Sequence, residues 1–123
     1  MRGLKLLIRP LASDDQQALS EFYQQEAARE PNQDEVSLVA KLLGRIVAHA
    51  TARPERDELR ISSIYVAREL RRKGIGRAVA IQLQQIAADS GTSSVVVAAG
   101  TTIQFFKSLG FIERDGTLRK VIV

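Results

Sequence analysis

The chain has 123 residues, 45% hydrophobic and 26% charged, with a formal net charge of +4, which gives room for one domain and one modest core, so a single domain over residues 1–123 is expected. With no cysteine and one histidine, His49, disulfides, thiolate nucleophiles and Cys-ligated metal sites are excluded, and no metal is expected. The longest apolar run, Val95 to Ala99, is far too short to span a bilayer, and Lys5 and Arg9 interrupt the apolar residues at the start, so a cytoplasmic protein with no membrane partner is expected.

Leu4, Leu6 and Ile8 alternate with Lys5, Leu7 and Arg9, which predicts a first strand stopped at Pro10. Ser13 and Gln16 have the spacing of a capping box, and Leu19, Phe22, Tyr23 and Ala27 make one helical stripe that Pro31 ends. Val36 to Leu42 and Arg45 to Ala52 read as a hairpin turning at Leu43 and Gly44, followed by a charged loop, Pro54 to Glu58. In the next strand, Leu59 to Val66, Leu59 and Ile61 share one parity while Ile64 and Val66 share the other. That change predicts a β-bulge near Ser62 and Ser63, or else a strand buried on both faces.

Ile75, Val79, Leu83, Ile86 and Ala87 form a second helical stripe closed by Gly91, and Val95 to Ala99 is a short buried strand. Thr101 or Thr102 can cap a short helix carrying Ile103, Phe106 and Leu109 and ending at Gly110. Asp115 and Gly116, between Phe111–Arg114 and Thr117–Val123, signal a closing hairpin. No repeat, linker or low-complexity segment interrupts this order.

Between the bulged strand and the second helix lie Arg71, Arg72, Lys73, Gly74, Ile75, Gly76 and Arg77. Glycines at alternate positions let backbone N–H groups approach an anion, and the helix that follows adds unpaired donors and the positive end of its dipole. Arg68 to Arg77 holds five basic residues against one acidic, Glu69, so the excess charge of the chain is gathered here. Val79 stands where a dinucleotide fingerprint needs a third Gly or Ala, and a Walker A loop needs four residues between its glycines, so both are excluded. A solvated basic helix start or a nucleic-acid patch are the plainer readings of seven residues. A nucleic-acid binder more often spreads its cations over a face with aromatics to stack on bases, and aromatics are 5% here; no nucleic-acid partner is expected.

Arg, two residues, Gly, one residue, Gly resembles the acyl-CoA pyrophosphate loop of the GNAT superfamily of N-acyltransferases. Gln104 to Phe111, QFFKSLGF, is similar to that family's fourth helix, and the order of elements, β-α-β-β-β-α-β-α-β-β, is the family's order. The resemblance implies an α/β (α+β) fold: a mixed, mostly antiparallel central sheet with helices on both faces. It also implies acetyl-CoA as co-substrate, with Ile64, Tyr65 and Val66 offering backbone groups to the pantetheine arm. Arg71, Arg72, Lys73, Gly74, Ile75, Gly76 and Arg77 would hold the pyrophosphate. For Ile64 and Val66 core packing is the plain alternative, and the two roles are compatible.

The catalytic side chains of the family are not matched. Arg60 stands at the usual position of a Glu base, Phe106 at that of a Tyr acid, and Ala99 and Gly100 where an Asn is common. His49, Tyr65 and Glu58 are the substitutes the sequence offers, each with a structural alternative: a core histidine, a half-buried tyrosine and a solvated loop charge. Only a few residues separate the first helix from the second strand between Glu30 and Asp34, where many relatives have another helix, and this implies an open acceptor side suited to a protein or peptide end. The resemblance implies an N-acetyltransferase acting on a primary amine. The missing acid and base favour, as the alternative, a non-catalytic acetyl-CoA-binding regulator of a partner protein. The acceptor, the catalytic residues and the oligomeric state are not named by the sequence.

Overall fold

The computed structural model describes residues 5–26, 36–100 and 102–122. In chain order these form β1 (Leu6–Pro10), a 3-10 turn (Ser13–Asp15) leading into α1 (Gln16–Gln25), β2 (Val36–Leu42), β3 (Arg45–Glu55) and β4 (Glu58–Val66). A second 3-10 turn (Arg68–Leu70) precedes α2 (Ile75–Asp89), and then come β5 (Ser94–Ala98), α3 (Ile103–Ser108), β6 (Ile112–Arg114) and β7 (Thr117–Val121). All seven strands join in one sheet of order β1-β2-β3-β4-β5-β7-β6. Only the β4–β5 pairing is parallel, which requires the crossover that α2 supplies.

The predicted order of elements is the observed one, with two local corrections. Pro54 to Glu58 is not a loop: β3 continues to Glu55, β4 begins at Glu58, and Arg56 and Asp57 alone make the turn. Nor do Ser13 and Gln16 form a capping box. Asp15 takes that work, its carboxylate accepting the Ala12 N–H at 2.9 Å while it pairs with Arg9 at 2.6 Å and Lys41 at 3.2 Å. Asp15 is almost fully buried, and these bonds hold its carboxyl well below the usual range, the Arg9 hydrogen bond first among the causes. Leu4, Ala27, Pro31, the short span from Glu30 to Asp34, and Thr101 lie outside the described residues. Thr102 precedes α3 but makes no side-chain cap.

The bulge falls at the predicted place. Thr51 pairs with Ser63 and Ala52 with Ile61, so Ser62 is the extra residue of β4. The insertion explains the parity change: Leu59, Ile61, Ile64 and Val66 all turn to one face, and Arg60, Ser63 and Tyr65 to the other. A Cβ on Gly76 would lie 3.6 Å from Val66 and 3.7 Å from Phe105, which puts the start of α2 and α3 on the Val66 face. Tyr23 of α1 bonds His49, the register partner of Tyr65, so α1 covers the opposite face. The main core lies between the sheet and α2, where Leu38, Ala50 and Val95 meet the stripe Ile75, Val79 and Leu83.

Candidate active site

β4 and β5 are paired only from Glu58–Ser94 to Ile61–Val97. Beyond the Ser62 bulge the two strands separate, and the gap opens into a cleft of about 980 Å³ lined on one side by Ser62 to Val66, on the other by Val97 and Ala98, and closed by Phe105 and Phe106 of α3. Parallel strands that part in this way leave backbone N–H and C=O groups unpaired on both walls, so an amide-bearing ligand can lie between them as a further strand.

At one end the cleft meets the glycine loop. Gly74 has φ +85°, a conformation open to glycine at little cost, and the first helical bond runs from the Ala78 N–H to its carbonyl at 3.0 Å. The N–H groups of Ile75, Gly76 and Arg77 therefore fall outside the helical ladder, at the positive end of a helix of 15 residues. Arg72 takes φ +64° beside them. Ile64, Tyr65, Val66, Arg71, Arg72, Gly74, Gly76 and Arg77 all line the cleft, whereas two of the predicted loop residues do not. The Ile75 side chain is a core residue, and Lys73 is exposed beside the rim.

Arg71 is exposed but tethered to the end of β4. Its Nε donates to the Val66 carbonyl at 3.1 Å, and its guanidinium stands 5.3 Å from the centre of the Tyr65 ring. It therefore braces the end of β4 against the loop, leaving Arg72 and Arg77 as the cleft-lining cations without a side-chain partner among the described residues.

The candidates for proton transfer are all engaged elsewhere. His49 is buried, its Nδ1 2.7 Å from the Tyr23 hydroxyl and its Nε2 2.8 Å from the Ser37 hydroxyl, and burial lowers its pKa from 6.5 to about 4. A neutral ring bonded on both nitrogens has no site for a substrate proton. The Tyr65 ring borders the cleft while its hydroxyl donates to the Glu26 carbonyl at 3.2 Å. Glu58 accepts from Arg119 at 2.5 Å. Arg60 pairs with Glu55, and Phe106 packs edge-on against Phe105 and Phe111 with its ring buried.

One contributor escaped the sequence reading. Glu26, just past α1, is buried, accepts the Arg68 N–H at 2.9 Å through Oε1, and offers its carbonyl to Tyr65, so it ties the first helix to the approach of the glycine loop. The two partners are 42 residues apart, and no local pattern announces such a contact.

Residues 5–113 match the model of the Acetyltransferase (GNAT) family. Among curated proteins none matches the sequence. Among solved structures, the ribosomal-protein-alanine N-acetyltransferase from Brucella melitensis is 23% identical, with a TM-score of 0.72 over 94% of this chain and 99% of that one. The ribosomal-protein alanine N-acetyltransferase of Escherichia coli is 20% identical, with a TM-score of 0.75 over 94% of this chain and 91% of that one. PaiA N-acetyltransferase from Thermoplasma acidophilum, solved in complex with coenzyme A, is 13% identical, with a TM-score of 0.79 over 96% of this chain and 99% of that one. Likeness at such identities speaks for the fold.

Proposed function

The chain belongs to the acetyltransferase (GNAT) family, and we propose that it moves an acetyl group from acetyl-CoA to a primary amine borne by a protein or peptide. The observation that carries the reading is the cleft between β4 and β5, opened by the Ser62 bulge and ending on the glycine loop. The N–H groups of Ile75, Gly76 and Arg77, with the guanidinium groups of Arg72 and Arg77, are suited to the pyrophosphate. The backbone of Ile64 to Val66 is suited to the pantetheine amides.

In the reaction the amine nitrogen attacks the thioester carbonyl, the C–N bond forms, the C–S bond breaks, and the amine proton ends on the departing thiolate or on water. Arg60 cannot accept that proton and Phe106 cannot supply one. Rate must then come from alignment of a neutral amine against the thioester, with water carrying protons. The same two residues favour a second reading, a non-catalytic regulator that binds acetyl-CoA and a partner protein.

Release of free CoA thiol with a panel of amines and peptide N-termini separates the readings. A transferase gives slow release, and Phe106→Tyr should accelerate it, a positioned general acid being worth on the order of a hundredfold. Turnover with any acceptor rules out the purely regulatory reading. Acetyl-CoA bound but not consumed across the panel, together with one partner protein captured only in its presence, rules out the enzyme.

A further inference from the structure

We infer that the acceptor is an acidic polypeptide, held by its carboxylates across a row of arginines on the α1 face of the sheet; the inference rests on the acetyl-transfer reading above. Register places Arg53 of β3 opposite Arg60 of β4, Arg60 opposite Val96 of β5, Val96 opposite Arg119 of β7, and Arg119 opposite Ile112 of β6. One lateral row thus crosses five strands. It lies on the Tyr65 face, the face of α1, while α2 and α3 occupy the other. Val96 is fully buried although it stands outside the main core, and its neighbours Arg60 and Arg119 have aliphatic stems long enough to lie over it with their charged ends in water.

The row begins one residue below Ile61 and Val97, the last pair before the strands part. An amine reaching the cleft from the face opposite the start of α2 therefore brings the chain behind it over these arginines. Of the strand side chains on this face beside the cleft, Arg53, Arg60, Arg114 and Arg119 stand against Glu55 and Glu58. Arg60 pairs with Glu55 at 3.3 Å and Arg119 with Glu58 at 2.5 Å, and both arginines are more than a third exposed. Exposed pairs of this kind contribute little, so an incoming carboxylate exchanges with them readily and can take a guanidinium through two parallel bonds. Arg53 and Arg114 are exposed and make no ion pair among the described residues.

Spacing decides for a polypeptide over a small anionic amine. From β3 to β7 the row spans three strand intervals, about 14 Å. One amino acid cannot bridge that distance, whereas about four residues of extended chain do. The same positive face disfavours lysine-rich acceptors.

The test uses fluorescent peptides identical except for several Glu, Gln or Lys residues behind a free N-terminus, titrated by anisotropy into the whole protein saturated with CoA. The Glu peptide should bind about tenfold tighter than the Lys peptide at low salt. Arg53→Glu combined with Arg114→Glu should reverse the order while calorimetry shows CoA binding unchanged. Equal binding of the Glu and Lys peptides by a CoA-competent protein overturns the proposal. So does displacement of the Glu peptide by free glutamate at equal concentration, or tighter binding of a single-stranded oligonucleotide of equal charge. Thiol release is read on the same peptides with acetyl-CoA. Arginine-dependent binding without release overturns the transfer reading, and the face is then a docking site for an acidic partner protein.

Discussion

The hydroxyls of Thr51 and Ser63 meet at 2.7 Å across β3 and β4, one residue from the bulge that opens the cleft. Thr51 is fully buried, so the bond fixes which residue of β4 is left over when the strands resume their register. Thr51→Val keeps the volume and removes the bond. We expect a loss of about 1 kcal/mol in denaturant unfolding and weaker acetyl-CoA binding by calorimetry, because the bulge is freed to shift. Parental affinity in the folded variant would mean that other contacts hold it.

Acetyl-CoA should stabilise the protein through the glycine loop. At one hundred times its dissociation constant the gain is about 2.7 kcal/mol, read as a melting shift of roughly 10 °C for a domain of this size. No shift with acetyl-CoA or CoA, and no heat on titration, would remove the basis of the proposed function.

Gly76 tests where the pyrophosphate sits. A single added carbon finds ordinary contacts at 3.6 and 3.7 Å, so Gly76→Ala should fold and bind with modest loss. Gly76→Glu sends bulk and negative charge toward Val66, Phe105 and the free N–H groups of the helix start, and binding should vanish with the fold retained by circular dichroism. Arg72→Ala should be milder than Gly76→Glu, since the backbone donors remain accessible.

His49 predicts a pH dependence. Its folded pKa is lowered from 6.5 to about 4 by burial, so between those values the unfolded chain binds a proton that the folded protein does not. The stability tied to the neutral ring is complete above pH 6.5 and is lost as pH falls toward 4, on the order of 3 kcal/mol. Urea midpoints should decline through that window, and His49→Gln should flatten the decline.

Asp15 acts lower on the scale. Its folded pKa is depressed, so its contribution is present above the unfolded value near 4 and disappears in more acidic solution. Asp15→Asn should cost about 2–3 kcal/mol at neutral pH through the weakened bonds to Arg9 and Lys41. It should also remove part of the acid transition. A variant as stable as the parent would show that the three partners are satisfied by water.

The parity of Leu59, Ile61, Ile64 and Val66 made the bulge legible, because a two-residue period records which face each side chain serves. The glycine loop was legible for a similar reason: its conformation is written in residue types. Contacts between distant segments left no such mark. Nothing local to His49 announces that Tyr23 and Ser37 occupy both its nitrogens, and the pull of Val66 and Tyr65 on Arg71 appears only once β4 and the loop are folded together. Pro54 and the four charged residues after it read as a loop, yet a proline on an exposed strand end costs the ladder little, and the strand runs through it.

The sheet is held together unevenly. Four residue pairs, one crossover helix, the Arg119–Glu58 ion pair and the bonds from Ser93 to the Asp57 carbonyl join the antiparallel half β1–β4 to the half β5, β7 and β6. Amide protons along that seam should be the first of the sheet to exchange with solvent, through an opening that leaves each half intact. A ligand lying between the two walls closes the seam from the other end, so occupancy would be felt as slowed exchange not only in β5, which lines the cleft, but also in β7, which does not.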